Sequence, residues 1–203
     1  MGIRKHAFTS SVAVTTVALG LSASPVGASA PPIDGTGIVT CNLVGRLAIK
    51  PALKTAGTAT SVAVKITSKL EGCTASDETQ IIGGSVTATG TLSTNDCDTV
   101  AATGLPTMQW KVKWQVAKGT QKLNPSVFSN SLSGTFIDQP DDNLQVLAAT
   151  AAGTVTGSFN ADAVLFDATP SMPLEQFTPT CQAKGVKSLK WDLGLISQIS
   201  FVA

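Results

Sequence analysis

Met108-Gln109-Trp110-Lys111-Val112-Lys113-Trp114-Gln115-Val116 alternates without a break between apolar and polar side chains. A period of two puts Met108, Trp110, Val112, Trp114 and Val116 on one face of an extended chain. Gln109, Lys111, Lys113 and Gln115 fall on the other, which is the pattern of a half-buried strand in an antiparallel sheet. The same period recurs upstream. Val62, Val64, Ile66 and Leu70 oppose Lys65, Thr67, Lys69 and Glu71, while Val39, Cys41, Leu43, Leu47 and Ile49 oppose Thr40, Asn42, Arg46 and Lys50.

Working outward from these runs, Pro51 is expected to end the first strand, with a turn over residues 52–60. A Thr-rich strand near residues 85–93 has a thin apolar face (Val86, Ala88, Leu92), which suits a sheet edge. Residues 95–106 read as irregular. Weaker strands follow over 127–137 and 154–166, and the Ala-rich residues 144–152 suit a strand or a short helix. Pro170, Pro173 and Pro179 break the chain around one helical turn at 174–177, and two last strands cover 188–193 and 196–202. About eight to ten short strands punctuated by Gly, Pro, Asn and Asp predict an antiparallel β-sandwich, immunoglobulin-like or jelly-roll-like. No internal repeat or linker divides residues 29–203, so they are expected to form a single domain.

The first 28 residues carry an address. Arg4 and Lys5 precede an apolar stretch over 12–21, and small residues cluster over 22–30. This is the pattern of a secretory signal peptide, and its apolar part is shorter than the about 20 residues a membrane helix needs. Val26-x-Ala28 and Ala28-x-Ala30 both fit the cleavage rule; a cut after Ala28 avoids placing Pro31 directly after the scissile bond. The expected destination is outside the cytoplasm, in the medium or at the cell wall. No later segment is long and apolar enough for a transmembrane helix.

Cys41, Cys73, Cys97 and Cys181 all lie beyond that segment. An even number of cysteines in an exported chain points to two disulfides. Cys41 and the strand ending at Leu70 arrive at the same end of a hairpin, which brings Cys41 to Cys73. Cys73 and Cys97 flank a strand of about ten residues, so they stand roughly 30 Å apart, beyond the about 7 Å that a disulfide tolerates. The expected pairs are therefore Cys41–Cys73 and Cys97–Cys181, the second stapling the last strands to the first half. A four-cysteine zinc site is the rival, but zinc ligands usually come as pairs two to four residues apart, and none are so spaced here.

Composition excludes several chemistries. The one histidine, His6, lies in the leader, and tyrosine is absent. Without it, neither Ser-His-Asp nor Cys-His catalysis can be built, and no nucleophile elbow, S-x-x-K pair, Walker loop or dinucleotide fingerprint occurs. Beyond the leader, 12 basic residues face 13 acidic ones, and Arg46 is the single arginine. That balance does not suggest a nucleic-acid partner, which needs a basic field to displace counterions. No cofactor and no metal are expected. Asp96 and Asp98 flank Cys97, and Asp141 and Asp142 sit beside Pro140. Paired carboxylates at about 5–9.5 Å can cleave glycosidic bonds, and oxygen clusters can hold calcium, yet Asp is also an ordinary turn residue.

Two surface features remain. Trp110 and Trp114 share a face with Met108, Val112 and Val116, so burial is the simpler account than a sugar-stacking platform. Lys111 and Lys113 on one strand, with Lys65 and Lys69 on another, would form a basic strip for an anionic envelope polymer if the strands lie close. The plainer account is that lysines keep sheet surfaces soluble and edges unpaired.

Several motifs bear a likeness to known proteins. Val39-Thr40-Cys41-Asn42-Leu43-Val44-Gly45 and then Pro51-Ala52-Leu53 resemble the opening of small exported actinobacterial proteins. Leu70-Glu71-Gly72-Cys73-Thr74, the Gly/Thr-rich run ending at Cys97, Gln109-Trp110-Lys111, and Cys181 followed by Gly185-Val186-Lys187-Ser188-Leu189 extend that likeness over most of the chain. The resemblance implies a secreted all-β domain and carries no activity. The leading expectation is thus a secreted, non-enzymatic structural or binding module at or beyond the cell envelope, with an envelope or extracellular ligand. A carboxylate-dependent hydrolase of envelope polysaccharide is the alternative, and an envelope β-barrel or pore a weaker one, because such barrels carry aromatic girdles.

Overall fold

The computed structural model describes residues 30–76, 80–103, 105–130, 135–138, 144–151, 153–192 and 197–202. Residues 1–28, expected to be a signal peptide, lie outside them, as do Asp141 and Asp142. The strands are β1 (Val39–Leu53), β2 (Val62–Ala75), β3 (Ile81–Leu92), β4 (Gln109–Val116), β5 (Ser126–Ser129), β6 (Thr135–Asp138), β7 (Leu144–Thr150), β8 (Ala163–Ala168), β9 (Val186–Trp191) and β10 (Ser197–Val202). Two helices, α1 (Cys97–Thr103) and α2 (Leu174–Lys184), interrupt them.

All ten strands belong to one sheet in the order β5-β4-β3-β2-β1-β10-β8-β7-β6, with β9 also paired to β1. Every strand pairing is antiparallel. This corrects the expected sandwich: one sheet rolls until it nearly closes into a barrel-like shape. The rolling is visible in the core. Trp110 on β4 and Phe166 on β8 would lie about 24 Å apart across five spacings of a flat sheet, yet their ring centroids are 4.9 Å apart. Trp114 likewise meets Phe201 of β10 at 5.2 Å. Period-two alternation states which face is inside; it is the same for a sandwich and for a rolled sheet.

The inward residues follow the alternation. Val62, Val64, Ile66, Leu70, Trp110 and Val112 are buried, as are Leu43, Leu47, Phe166, Trp191, Ile199 and Phe201. Asn130, itself buried, accepts through Oδ1 from the Trp110 indole N–H at 3.1 Å, so the largest core ring has its polar atom satisfied.

β1 runs past Pro51, which was expected to end it. Proline has no N–H to give the ladder, and pairing lapses around it: the ladder to β2 stops at Lys50, and that to β9 skips from Ala48 to Leu53. The last two strands both lie along β1, β9 beside residues 45–53 and β10 beside residues 39–42, end to end. β3 is not at an edge, as its thin apolar face suggested; it is held between β2 and β4. Its glycines explain the thinness, because a Cβ at Gly84 would run into the Lys113 carbonyl oxygen.

The four cysteines form Cys41–Cys73 and Cys97–Cys181, with Cα separations of 4.1 and 6.3 Å, in agreement with the pairing argued from strand lengths. Cys41–Cys73 sits at a β-bulge where the register moves from Thr40↔Thr74 to Asn42↔Glu71. Gly72 takes the left-handed φ of 55° that such a bulge favours. Cys97–Cys181 joins α1 to α2, neither of which the sequence pattern gave at full length: residues 95–106 read as irregular and α2 as a single turn.

A basic furrow as the candidate functional site

The strand register gathers charge that is dispersed in the sequence. Lys190, Arg46, Thr67, Thr87 and Lys111 form one row across β9, β1, β2, β3 and β4. The next row reads Val44, Lys69, Ser85 and Lys113, and a third contains Ala48, Lys65 and Thr89. All six cations are exposed on the outer face. Lys69 and Lys113 stand two strand spacings apart, about 9.6 Å. The lysines of β2 and β4 therefore do merge into one strip, and Arg46 and Lys190, which the sequence reading had not joined to it, widen it.

Charge is strongly segregated. These five strands hold eight basic residues, the six named with Lys50 and Lys187, against the single acid Glu71. The whole chain has a formal net charge of only +1, an average that conceals the field. None of the six cationic side chains has a hydrogen-bond or ion-pair partner among the described residues. Edge protection does not account for Arg46, Lys65, Lys69 or Lys111, each of which is paired on both sides, whereas Lys113 lies just past the residues of β4 that pair with β5.

The face is also concave. Two depressions of about 770 and 440 Å³ share Lys69, Glu71 and Ser85, so they form one furrow. Its floor passes Gly45, Gly72 and Gly84. At Gly45 a Cβ would meet the carbonyl oxygen of Thr67, so the strands approach too closely there for any side chain. Trp114 borders one end. Its indole N–H donates to Ser126 Oγ at 2.9 Å and its ring packs on Phe159 and Phe201, so it is a core residue with one edge in the furrow. Trp110 is fully buried, and the two tryptophans do not form a stacking platform.

Of the candidate carboxylates, Asp96 serves the fold, and Asp141 and Asp142 lie outside the described residues. Asp96 caps α1: its Oδ1 accepts from the backbone N–H and the hydroxyl of Thr99, both at 2.9 Å. Those bonds, the backbone one foremost, hold its carboxyl below the usual range, the wrong direction for a general acid. Asp98 lies in the first turn of the same helix. Asp162, which the sequence reading did not single out, is buried, and burial pushes its pKa up; its Oδ2 has no hydrogen-bond partner among the described residues. With both cysteine pairs oxidised, a four-cysteine zinc site cannot form, and no group of three or more metal-binding side chains occurs among the described residues.

No helix among the described residues is long and apolar enough to cross a membrane. Comparison of the chain with protein-family models, with curated proteins and with solved structures finds no match.

Proposed function

We propose that this chain is an exported, non-enzymatic binding module that works at or beyond the cell envelope and holds an anionic partner on its basic furrow. The observation that carries the reading is the gathering of six partnerless cations onto one face of adjoining strands, four of them (Arg46, Lys69, Lys113 and Lys190) lining the furrow, with one acid among them. Such a face concentrates field at its own surface and attracts anions whatever the net charge. The leader pattern and the two disulfides support an oxidising compartment outside the cytoplasm, and the likeness to small exported proteins points the same way.

The rivals draw less support. A carboxylate hydrolase would need free acids in a cleft, whereas Asp96 is engaged in capping a helix. A membrane pore carries an apolar belt outside and a polar lumen; this sheet packs Trp110, Phe128, Phe166 and Phe201 inside and sets its lysines outside.

Lysine acetylation read by mass spectrometry tests the proposal. With wall extract present, Lys65, Lys69, Lys111, Lys113 and Lys190 should lose reactivity while Lys118, Lys122 and Lys184 keep theirs. Equal reactivity with and without extract would sink it.

A further inference from the structure

We infer that the furrow takes a linear polyol phosphate, a phosphodiester chain with hydroxyls between its charges, and that Glu71 selects it. The inference rests on the anion-binding role proposed above. The shape argues for a chain rather than a small anion. The furrow crosses from β9 to β4, four strand spacings or about 19 Å, with Arg46 and Lys190 at one end, Lys69 in the middle and Lys113 at the other. A single phosphate would engage one end and leave the rest of the field unused.

The cations present suit phosphate: three of the four that line the furrow are lysines, whose ammonium binds phosphate as a point charge, and the fourth, Arg46, can fork onto two phosphate oxygens. Thr67 and Ser85, lying in the rows between the cations, add hydroxyl donors for the non-bridging oxygens.

Glu71 supplies the selectivity. It lies where the two depressions join, beside Lys69, in a place where a plain polyanion gains nothing from a carboxylate. A hydroxyl carried between two phosphates can donate to it, so each engaged repeat satisfies cations and carboxylate together. A bare polyphosphate meets repulsion at that position, and a carboxylate there raises the cost of the wrong chain.

Isothermal titration with three probes of matched charge tests this: poly(glycerol phosphate), inorganic polyphosphate and polygalacturonate. The purified protein should bind poly(glycerol phosphate) more tightly than polygalacturonate, and more tightly than polyphosphate by about fivefold, the worth of one net hydrogen bond. Glu71→Gln should erase the preference by strengthening polyphosphate binding, and Lys69→Glu with Lys113→Glu should weaken all three probes. Equal affinity for all three, or preference for polygalacturonate, would overturn the inference while leaving the anion-binding furrow standing. Binding to none of them would overturn both. Circular dichroism of each variant establishes that the fold is retained.

Discussion

Arg46 on β1 and Lys190 on β9 are direct cross-strand partners, two cations facing each other across an antiparallel ladder. Like charges in that relationship destabilise a sheet, by roughly 0.2–1 kcal/mol. The same surface would be more stable with an acid at either position, and the anionic partner proposed for the furrow would supply the missing negative charge. Lys190→Glu is therefore expected to stabilise the folded protein by about 0.5 kcal/mol at low salt, and to weaken its hold on polyanions. Urea unfolding at low and high ionic strength checks the first half, since the gain should shrink as salt screens the pair. A variant less stable than the parent would mean that Lys190 has a structural role.

The buried pair of Trp110 and Asn130 makes a prediction about the core. Asn130 Oδ1 accepts from both the Trp110 indole and the backbone N–H of Met108. Asn130→Leu strands both donors in an apolar interior, at about 1–3 kcal/mol each. A drop in stability of about 3 kcal/mol is expected, read from the urea midpoint with an unchanged slope. A loss below about 1 kcal/mol would show that another acceptor replaces Asn130.

The Cys97–Cys181 bridge closes a loop with a sequence separation of 84 residues, against 32 for Cys41–Cys73. Chain entropy assigns the longer loop about 4–5 kcal/mol and the shorter about 3.5–4. Replacing both Cys97 and Cys181 by serine should therefore cost more than the same change at Cys41 and Cys73. Thermal unfolding of the two double variants tests the order, and the reverse order would place the dominant effect in native packing.

Asp162 carries a pH dependence of defined sign. Its carboxyl is buried and its pKa lies above the ordinary 3.8, so the folded state holds the proton more tightly than the unfolded one. Between those two values the folded state binds more protons, and stability falls as pH rises. Asp162→Asn removes that dependence. The variant should gain on the parent by about 1 kcal/mol at neutral pH, the scale of an unsatisfied buried group, and the difference should vanish below the ordinary aspartate value. A constant difference from pH 3 to pH 8 (roughly the range over which such groups titrate) would contradict the assignment.

Much of the strand content was legible because β2 and β4 alternate cleanly, and hairpin geometry together with strand length ranked the disulfide pairs. What failed has identifiable causes. β3 looked like an edge because its glycines leave little apolar surface, yet those glycines are what let its neighbours approach. α1 was hidden because its start signal, Asp96 capping Thr99, stands among turn-forming residues beside Cys97. α2 is longer than the single turn expected from Pro179 as a breaker, because the helix continues through that proline to Lys184 and is capped by Gly185. The furrow was half legible. Lys65, Lys69, Lys111 and Lys113 announce their face by parity, but Arg46, Glu71 and Lys190 join them only through register, and register is a property of pairing that one strand's pattern does not contain.

The central claim is that the basic furrow holds the protein to an anionic envelope polymer. Co-sedimentation with isolated cell walls of the producing organism tests it most directly, comparing the parent with an Arg46→Glu, Lys113→Glu variant. The account predicts that the parent pellets with the walls, is released by about 0.5 M salt as phosphate contacts are screened, and that the variant stays in the supernatant. A variant that pellets as fully as the parent, or a parent that never pellets, would contradict it.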